Sequence, residues 1–285
     1  MDGGMGGMGG AGGAALAAQS VPDLGRLIIE NDVRRSRRWR LQFLLVWLVI
    51  LAGLIAFVAL TVDLDAAFLT KVVPFIIGGV GVTLFVSLIS ISLAIVLATL
   101  GALGRLSRNS VANGIASFYV SLVRGTPLLL QIYFIFLALP QAGIVLDAIW
   151  CGIIALGFNY GAYMTEIFRA GVQAVPGGQS EAAASLGMDG RTTFLRIVAP
   201  QAFRIVIPAI GNDFIAMLKD SSLISAIGVQ EILWKAQAAG RPTYQSMQTL
   251  LVAALVYWGM TLVFSYFQAR LEKRQAVGDR AQGAR

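Results

Sequence analysis

The chain has 285 residues, 57% of them hydrophobic and only 13% charged, with a mean hydropathy of +0.75. Soluble domains carry about 25% charged residues and no soluble monomer hides this much apolar surface, so the composition excludes a soluble protein and points to a membrane. The formal charge of +7 sits beside apolar runs, which reads as membrane orientation rather than nucleic-acid binding, and the lack of histidine removes imidazole acid–base chemistry and His metal sites.

In chain order, residues 1–33 begin with a run of Gly, Met and Ala and read as a disordered cytoplasmic tail. Five arginines between 34 and 40 then precede the uncharged run 41–62. That pair resembles a signal peptide, but the apolar run is too long for one and no clean small-residue cleavage site follows. Residues 34–66 are therefore expected to form an uncleaved anchor helix. Further uncharged runs cover 72–104, 125–146, 148–165 and 242–269. A span needs about 20 mostly apolar residues, so each qualifies or comes close. A weaker run, 205–228, is interrupted by Asp213, Lys219 and Asp220. The expected fold is all-α, a polytopic bundle of six spans. The single cysteine, Cys151, lies within an apolar run and reads as a small buried residue.

Lys and Arg set the orientation. Arg34 to Arg40, Arg105 and Arg108, Arg169 to Arg204, and Arg270 to Arg285 fall on alternate loops, whereas the loop near Pro140 has no basic residue. By the positive-inside rule both termini are cytoplasmic, as is the tail 274–285.

The most distinctive segment lies in a cytoplasmic loop, 175–200. Gly177 and Gly178 free the chain after Pro176, and Ser180 suits the cap of a short helix starting at Glu181, whose charge favours the positive helix end. Ala182, Ala183 and Ala184 are strong helix formers with little bulk. Gly187 can stop the helix in a left-handed conformation, and Asp189 can cap the next one. The expected product is a thin helix facing the cytosol.

Glu181-Ala182-Ala183, then Gly187, then Ile197 and Pro200, resembles the EAA loop of permease subunits of ATP-binding-cassette (ABC) importers. Ala199 departs from the usual Leu. Arg124-Gly-Thr-Pro-Leu-Leu-Leu-Gln131, the segment from Tyr160 to Gly171 and Lys219-Asp-Ser-Ser-Leu-Ile-Ser225 resemble the polar-amino-acid group, which takes histidine, glutamine, glutamate or arginine. The resemblance covers about 78–273. It implies a type I importer permease core of five helices over 72–273, with the anchor helix outside it, in a bacterial cytoplasmic (inner) membrane. It also implies a second permease subunit, identical or related, two ATPase subunits, and a periplasmic or lipid-tethered binding protein that delivers the amino acid. Glu181, Ala182, Ala183, Gly187 and Pro200 would form the ATPase-coupling element. No Gly-x-x-x-x-Gly-Lys-Ser/Thr sequence is present, so ATP and Mg belong to the partner ATPase, and this chain is a non-catalytic subunit without cofactor or metal of its own.

Ionisable groups inside spans are expensive and are functional candidates by default. Asn159, Glu166 and Arg169 share a helix face, and Glu166 and Arg169 can also pair with each other. Lys219 and Asp220 fall beyond the bilayer centre without clearly leaving the bilayer, and a helix broken at that depth would line a cavity. Asn159, Glu166, Asn212, Lys219, Asp220 and Ser222 are therefore the expected substrate path, though Lys219 and Asp220 could instead neutralise each other at the outer interface. Gly157 and Gly161 form a small-xxx-small step for close packing. The competing reading, a stand-alone secondary transporter or channel, would leave the EAA loop unexplained, and no internal repeat supports it.

Overall fold

The computed structural model describes the backbone of residues 21–283 and the side chains of 38–273. Among the described residues the secondary structure is helical, with no strand. The chain forms two compact units, divided between Asp63 and Leu64.

The first unit is α1, Val21–Thr61. The expected disordered tail over 1–33 lies outside the described residues as far as 20, and from Val21 onward the backbone is helical. Within α1, Arg38–Thr61 is long and apolar enough to cross a membrane, with a mean hydropathy of 3.0 over an 18-residue window. Its large side chains, Leu48 and Phe57 among them, are exposed.

The second unit starts with α2, Ala66–Ile77, capped by Asp65, whose Oδ1 accepts from the N–H groups of Ala67 and Phe68 at 2.9 and 3.1 Å. A short break at Gly78 and Gly79 leads into α3, Val80–Leu106. The uncharged run 72–104 is thus divided between two helices joined at a glycine pair. Glycine is required there: a Cβ on Gly79 would lie 2.6 Å from the Ile232 nitrogen.

Next come α4, Ser110–Arg124, and α5, Leu128–Gln141. Their axes bend by 106° across Gly125-Thr126-Pro127, where Pro127 and its restriction on Thr126 end the helix. At the centre stands α6, Ala148–Gln173. The loop helix α7, Gly177–Ser185, is followed by α8, Gly190–Thr193, a π-helical turn Phe194–Val198, and α9, Ala199–Asp220. The last elements are a 3-10 helix, Ser221–Ile227, then α10, Ile232–Gly240, and α11, Ser246–Gly283.

Six spans were expected. Among the described residues four stretches are long and apolar enough, namely Arg38–Thr61, Ala66–Leu106, Gly190–Ile227 and Ser246–Lys273, and the bent α4–α5 pair makes a fifth. The difference is α6. At 26 residues it is about 39 Å long, but small and polar residues dilute its apolarity. Burial explains this, because α6 meets protein on most sides and has little need of a lipid-compatible surface. The third expected span, 125–146, is in fact the second arm of the bend. The sequence reading missed α4, a 15-residue helix with polar residues on one face.

Small residues bring α6 and α3 together. A Cβ on Gly157 would lie 2.6 Å from Leu93, one on Gly161 2.9 Å from Leu97, and one on Gly101 2.3 Å from the Thr165 hydroxyl. Gly157 and Gly161 thus pack as their spacing predicted. Ile132, Leu156, Met164, Met217 and Ile224 fill the surrounding core. Thr83, Ser87, Ser90 and Thr165 are wholly buried, whereas Leu100, Leu262 and Phe267 are exposed. Such an inside-out distribution suits a bundle packed by van der Waals contact among small residues rather than by exclusion of water.

A second core joins α2, α10 and α11 through Val72, Ile76, Ile232, Ala236 and Ala253. Glu231 is fully buried beside it. It caps α10, its Oε1 accepting from the Trp234 N–H at 2.7 Å, and the Tyr257 hydroxyl donates to Oε2. Burial pushes the Glu231 carboxyl above its usual range.

Candidate functional site

Two places gather the residues singled out by the sequence. The first is the loop helix α7. It begins at Gly177, with Pro176 in the cap position and extended (ψ 130°), so Ser180 is not the cap and the helix is about one turn longer than expected. Its end is as expected. Gly187 has φ +77°, the Met188 N–H donates to the Ala183 carbonyl at 3.1 Å, and the Gly187 N–H donates to the Ala184 carbonyl at 2.9 Å. This is a Schellman stop. Asp189 caps α8, accepting from the N–H groups of Arg191 and Thr192 at 3.2 and 3.4 Å. Hydrogen bonds from Thr192, with that from the Arg191 N–H, hold its carboxyl below the usual carboxylate range.

The alanines of α7 do not share one surface. Ala183 is 2% exposed and faces the chain's own interior, whereas Glu181, Ala182 and Ala184 face out. Helical geometry explains the division, since successive residues turn by about 100° and one alanine in three must meet the following turn. The outward face ends in Leu186, 82% exposed, which the sequence reading passed over. Pro200 is exposed at the start of α9.

The second place is a cavity of about 560 Å³ between the α4–α5 bend, α6 and α9. Arg124, Gly125, Thr126, Asn159, Tyr160, Tyr163, Asp213 and Asp220 line it. The bend brings Arg124 to the wall, with its guanidinium 5.1 Å from the centre of the Tyr163 ring. Gln131 locks the bend: its Nε2 donates to the Val123 carbonyl at 2.7 Å and to the Thr126 hydroxyl at 2.8 Å. Asn159 Nδ2 donates to Gln131 Oε1 at 3.2 Å, tying α6 to the bend. The Tyr160 hydroxyl donates to Asp220 Oδ2 at 2.7 Å. Asp213 and Asp220 are seven residues apart, two helical turns, and so lie on one face of α9. Asp213 Oδ2 is buried without a hydrogen-bond partner. A buried carboxylate oxygen in that state is costly unless a ligand donor meets it.

Of the expected path residues, Asn159 and Asp220 line the cavity, and Asn212, Lys219, Ser222 and Glu166 do not. Asn212 and Lys219 are exposed on another face of α9. Ser222 belongs to the 3-10 helix, which tightens the end of α9 where a break was expected. Glu166 accepts from Arg105 Nε at 3.1 Å and from Arg169 Nη2 at 2.7 Å, bridging α3 and α6. Arg105 also donates to Ser117, which brings α4 into the same network. Sequence reasoning missed Asp213 and Arg124 as lining residues. The i, i+7 spacing of Asp213 and Asp220 was the available signal for the first.

The chain is similar to proteins of known role over most of this unit. Residues 90–277 match the family model described as binding-protein-dependent transport system inner membrane component. The arginine transport system permease protein ArtQ of Bacillus subtilis is 34% identical over 218 residues, 76% of this chain and 100% of that protein. The L-cystine transport system permease protein TcyB of the same organism is 39% identical over 70% of this chain and 86% of the relative. The histidine/lysine/arginine/ornithine permease HisQ of Salmonella typhimurium is 37% identical over 71% of this chain and 94% of the relative. Among solved structures, an amino acid ABC transporter crystallised with histidines superposes with a TM-score of 0.71 at 36% identity, covering 74% of this chain and 99% of that one. The methionine transporter MetNI, in an inward-facing conformation, shares the fold at 18% identity and a TM-score of 0.60, over 70% of this chain and 96% of that one. On the matched family model and these relatives, the chain belongs to the binding-protein-dependent inner-membrane transport components: it is a transmembrane permease subunit of an amino acid ABC importer, with ATP hydrolysis in a separate subunit.

Proposed function

We propose that the cavity at the α4–α5 bend holds the amino acid during its passage, and that α7 transmits the ATPase stroke to it. The observation that carries the first half is Asp213 Oδ2, buried at the cavity and without a donor. A zwitterion brings both a donor and an acceptor. Its ammonium meets Asp213, and its carboxylate meets Arg124, a lining residue whose guanidinium suits a bidentate contact. Asp220, already held by Tyr160, adds a second negative charge. Two carboxylates against one guanidinium favour neutral and basic amino acids over acidic ones.

The remaining assembly follows the family pattern. A second permease subunit, identical or related, completes the pathway, two ATPase subunits carry ATP and Mg, and a periplasmic or lipid-tethered binding protein delivers the substrate. The anchor helix 34–66 precedes the permease unit 72–273, and both termini face the cytoplasm of a bacterial cell, a reading that the alternating basic loops support. The ATPase then docks on the outward face of α7, Glu181 and Ala182 through Leu186, while Ala183 and Gly187 hold the helix to the turn that leads into α9. Pro200 starts the helix that carries this motion to Asp213 and Asp220.

The test is uptake by the reconstituted importer against a panel of amino acids. Neutral or basic amino acids should be taken up and glutamate and aspartate rejected, and Asp213→Asn should raise the half-saturating concentration without releasing the ATPase. Normal uptake by Asp213→Asn would place the transport site elsewhere.

A further inference from the structure

Four described residues have a left-handed backbone: Gly143, Gly187, Gly228 and Tyr244. Three are glycines, for which that conformation is free of Cβ strain. The fourth is an aromatic residue with φ +57°. A bulky non-glycine residue there is an outlier that calls for a reason.

The local bonds show how the backbone is held. The Gln245 N–H donates to the Gly240 carbonyl at 3.0 Å, and the Tyr244 N–H donates to the Arg241 carbonyl at 3.3 Å. That is a Schellman stop for α10, built like the one at Gly187, with Tyr244 in the position where glycine is usual. Among the described residues nothing packs on the ring, because Tyr244 is 97% exposed. Its neighbours belong to the same surface: Arg241 and Pro242 are exposed, as is Met247 at 63%. The Arg241 guanidinium is steadied by the Gln237 side-chain oxygen at 3.0 Å. Tyr, Arg and Met are the residue types that protein interfaces enrich, and Tyr and Arg dominate their energetic centres.

The place of the turn in the chain indicates the partner. The helical stretch Gly190–Ile227 is long enough to cross a membrane, starts beside α7 and ends just before α10. The turn at Tyr244 therefore lies on the opposite side from the ATPase-coupling loop. An aromatic residue meant only to anchor at the membrane surface could sit anywhere on a helix flank without backbone strain. A ring displayed on a hydrogen-bonded, strained turn is suited to insertion into a partner's pocket.

We infer that the Arg241–Tyr244 turn is a docking point for the extracytoplasmic binding protein, with the Tyr244 ring as its central anchor. This rests on the importer reading above. Tyr244→Gly separates the ring from the backbone, since glycine keeps the turn and removes only the side chain. The experiment uses the permease–ATPase complex in nanodiscs, titrated with its purified binding protein loaded from a mixture of L-arginine, L-histidine, L-glutamine and L-cystine. ATP hydrolysis is read at each concentration. Tyr244→Gly should raise the binding-protein concentration for half-maximal stimulation by 10-fold or more. Its basal hydrolysis, its maximal rate and its thermal stability should not fall, and Tyr244→Phe should stay within threefold of wild type. An unchanged half-maximal concentration in Tyr244→Gly overturns the proposal. So does a loss confined to basal activity or stability, which would make the ring a membrane anchor. Absence of stimulation in the wild-type complex would instead overturn the importer reading itself.

Discussion

The loop helix α7 and the cavity beside α6 are built in opposite ways. Everything that shapes α7 lies within about a dozen residues: Pro176 opens it, alanines extend it, Gly187 closes it and Asp189 starts the next turn. The cavity needs Arg124, Asn159, Asp213 and Asp220, spread over nearly a hundred positions and brought together by one bend and three packed helices. Local devices depend on backbone preference and tolerate little change in residue type. An assembled cavity depends on which face of each helix turns inward, so adjacent residues can differ completely in consequence.

Substitutions that break this contrast on the α7 side should have the largest effects. Ala183→Asp places a carboxylate where the alanine is 2% exposed. An unpaired buried charge costs on the order of 3 kcal/mol or more, so the loop should lose its fold and the ATPase its seat. Co-purification of the ATPase and limited proteolysis at 175–200 measure this together. Leu186→Asp is the control: the residue is 82% exposed, so the loop should stay protected while ATPase association falls at least 10-fold. Equal proteolysis of both variants would show that Ala183 does not seat the helix.

Gly187→Val comes next. Its φ of +77° is strained for any side chain, and the penalty is roughly 1–2 kcal/mol for the backbone alone. No atom lies within 4 Å of a Cβ placed there, so the cost is conformational rather than steric crowding. Hydrolysis should continue while uptake per ATP declines, measured in the same proteoliposomes. Gly187→Asn, which tolerates the left-handed region better, should recover part of the coupling.

How far the sequence revealed each region follows from the same contrast. The stop at Gly187, the cap at Asp189 and the small-residue step at Gly157 and Gly161 were legible because short-range geometry dictates them. The all-helical class was legible from apolar run lengths. The bend at Gly125-Thr126-Pro127 was not, because 125–146 is uncharged throughout and reads as one span. Ala183 was taken for part of the exposed face because composition does not reveal which of three alanines meets the next turn. Glu166 was placed on the substrate path because Arg105, 61 positions away, was not recognisable as its partner.

On the cavity side the effects are smaller and more selective. Asp213→Asn removes a charge-assisted contact, a class of hydrogen bond worth about 1.5–3 kcal/mol, so the half-saturating substrate concentration should rise by roughly 10- to 100-fold. Tyr160→Phe removes the hydroxyl that donates to Asp220 at 2.7 Å and should raise it by about 3- to 10-fold through a less well-held carboxylate. Both are read as initial uptake rates against concentration, with ATPase association as the check on assembly.

The smallest effect is expected at Lys219, and it is the sharpest test of assembly by helix face. Lys219 and Asp220 are adjacent, of opposite charge, and at the same depth along α9. One residue turns the side chain by about 100°, which puts Asp220 at the cavity wall and Lys219 outside it, exposed. If the two charges acted as a pair, removing either would have the same consequence. With the faces as observed, Asp220→Asn should impair uptake about as strongly as Asp213→Asn, while Lys219→Ala and Asn212→Ala should leave the half-saturating concentration within about twofold of wild type. Parallel uptake curves for the three variants decide the point. A Lys219→Ala defect equal to that of Asp220→Asn would mean that the lysine reaches the substrate, and the cavity would have to include the opposite face of α9.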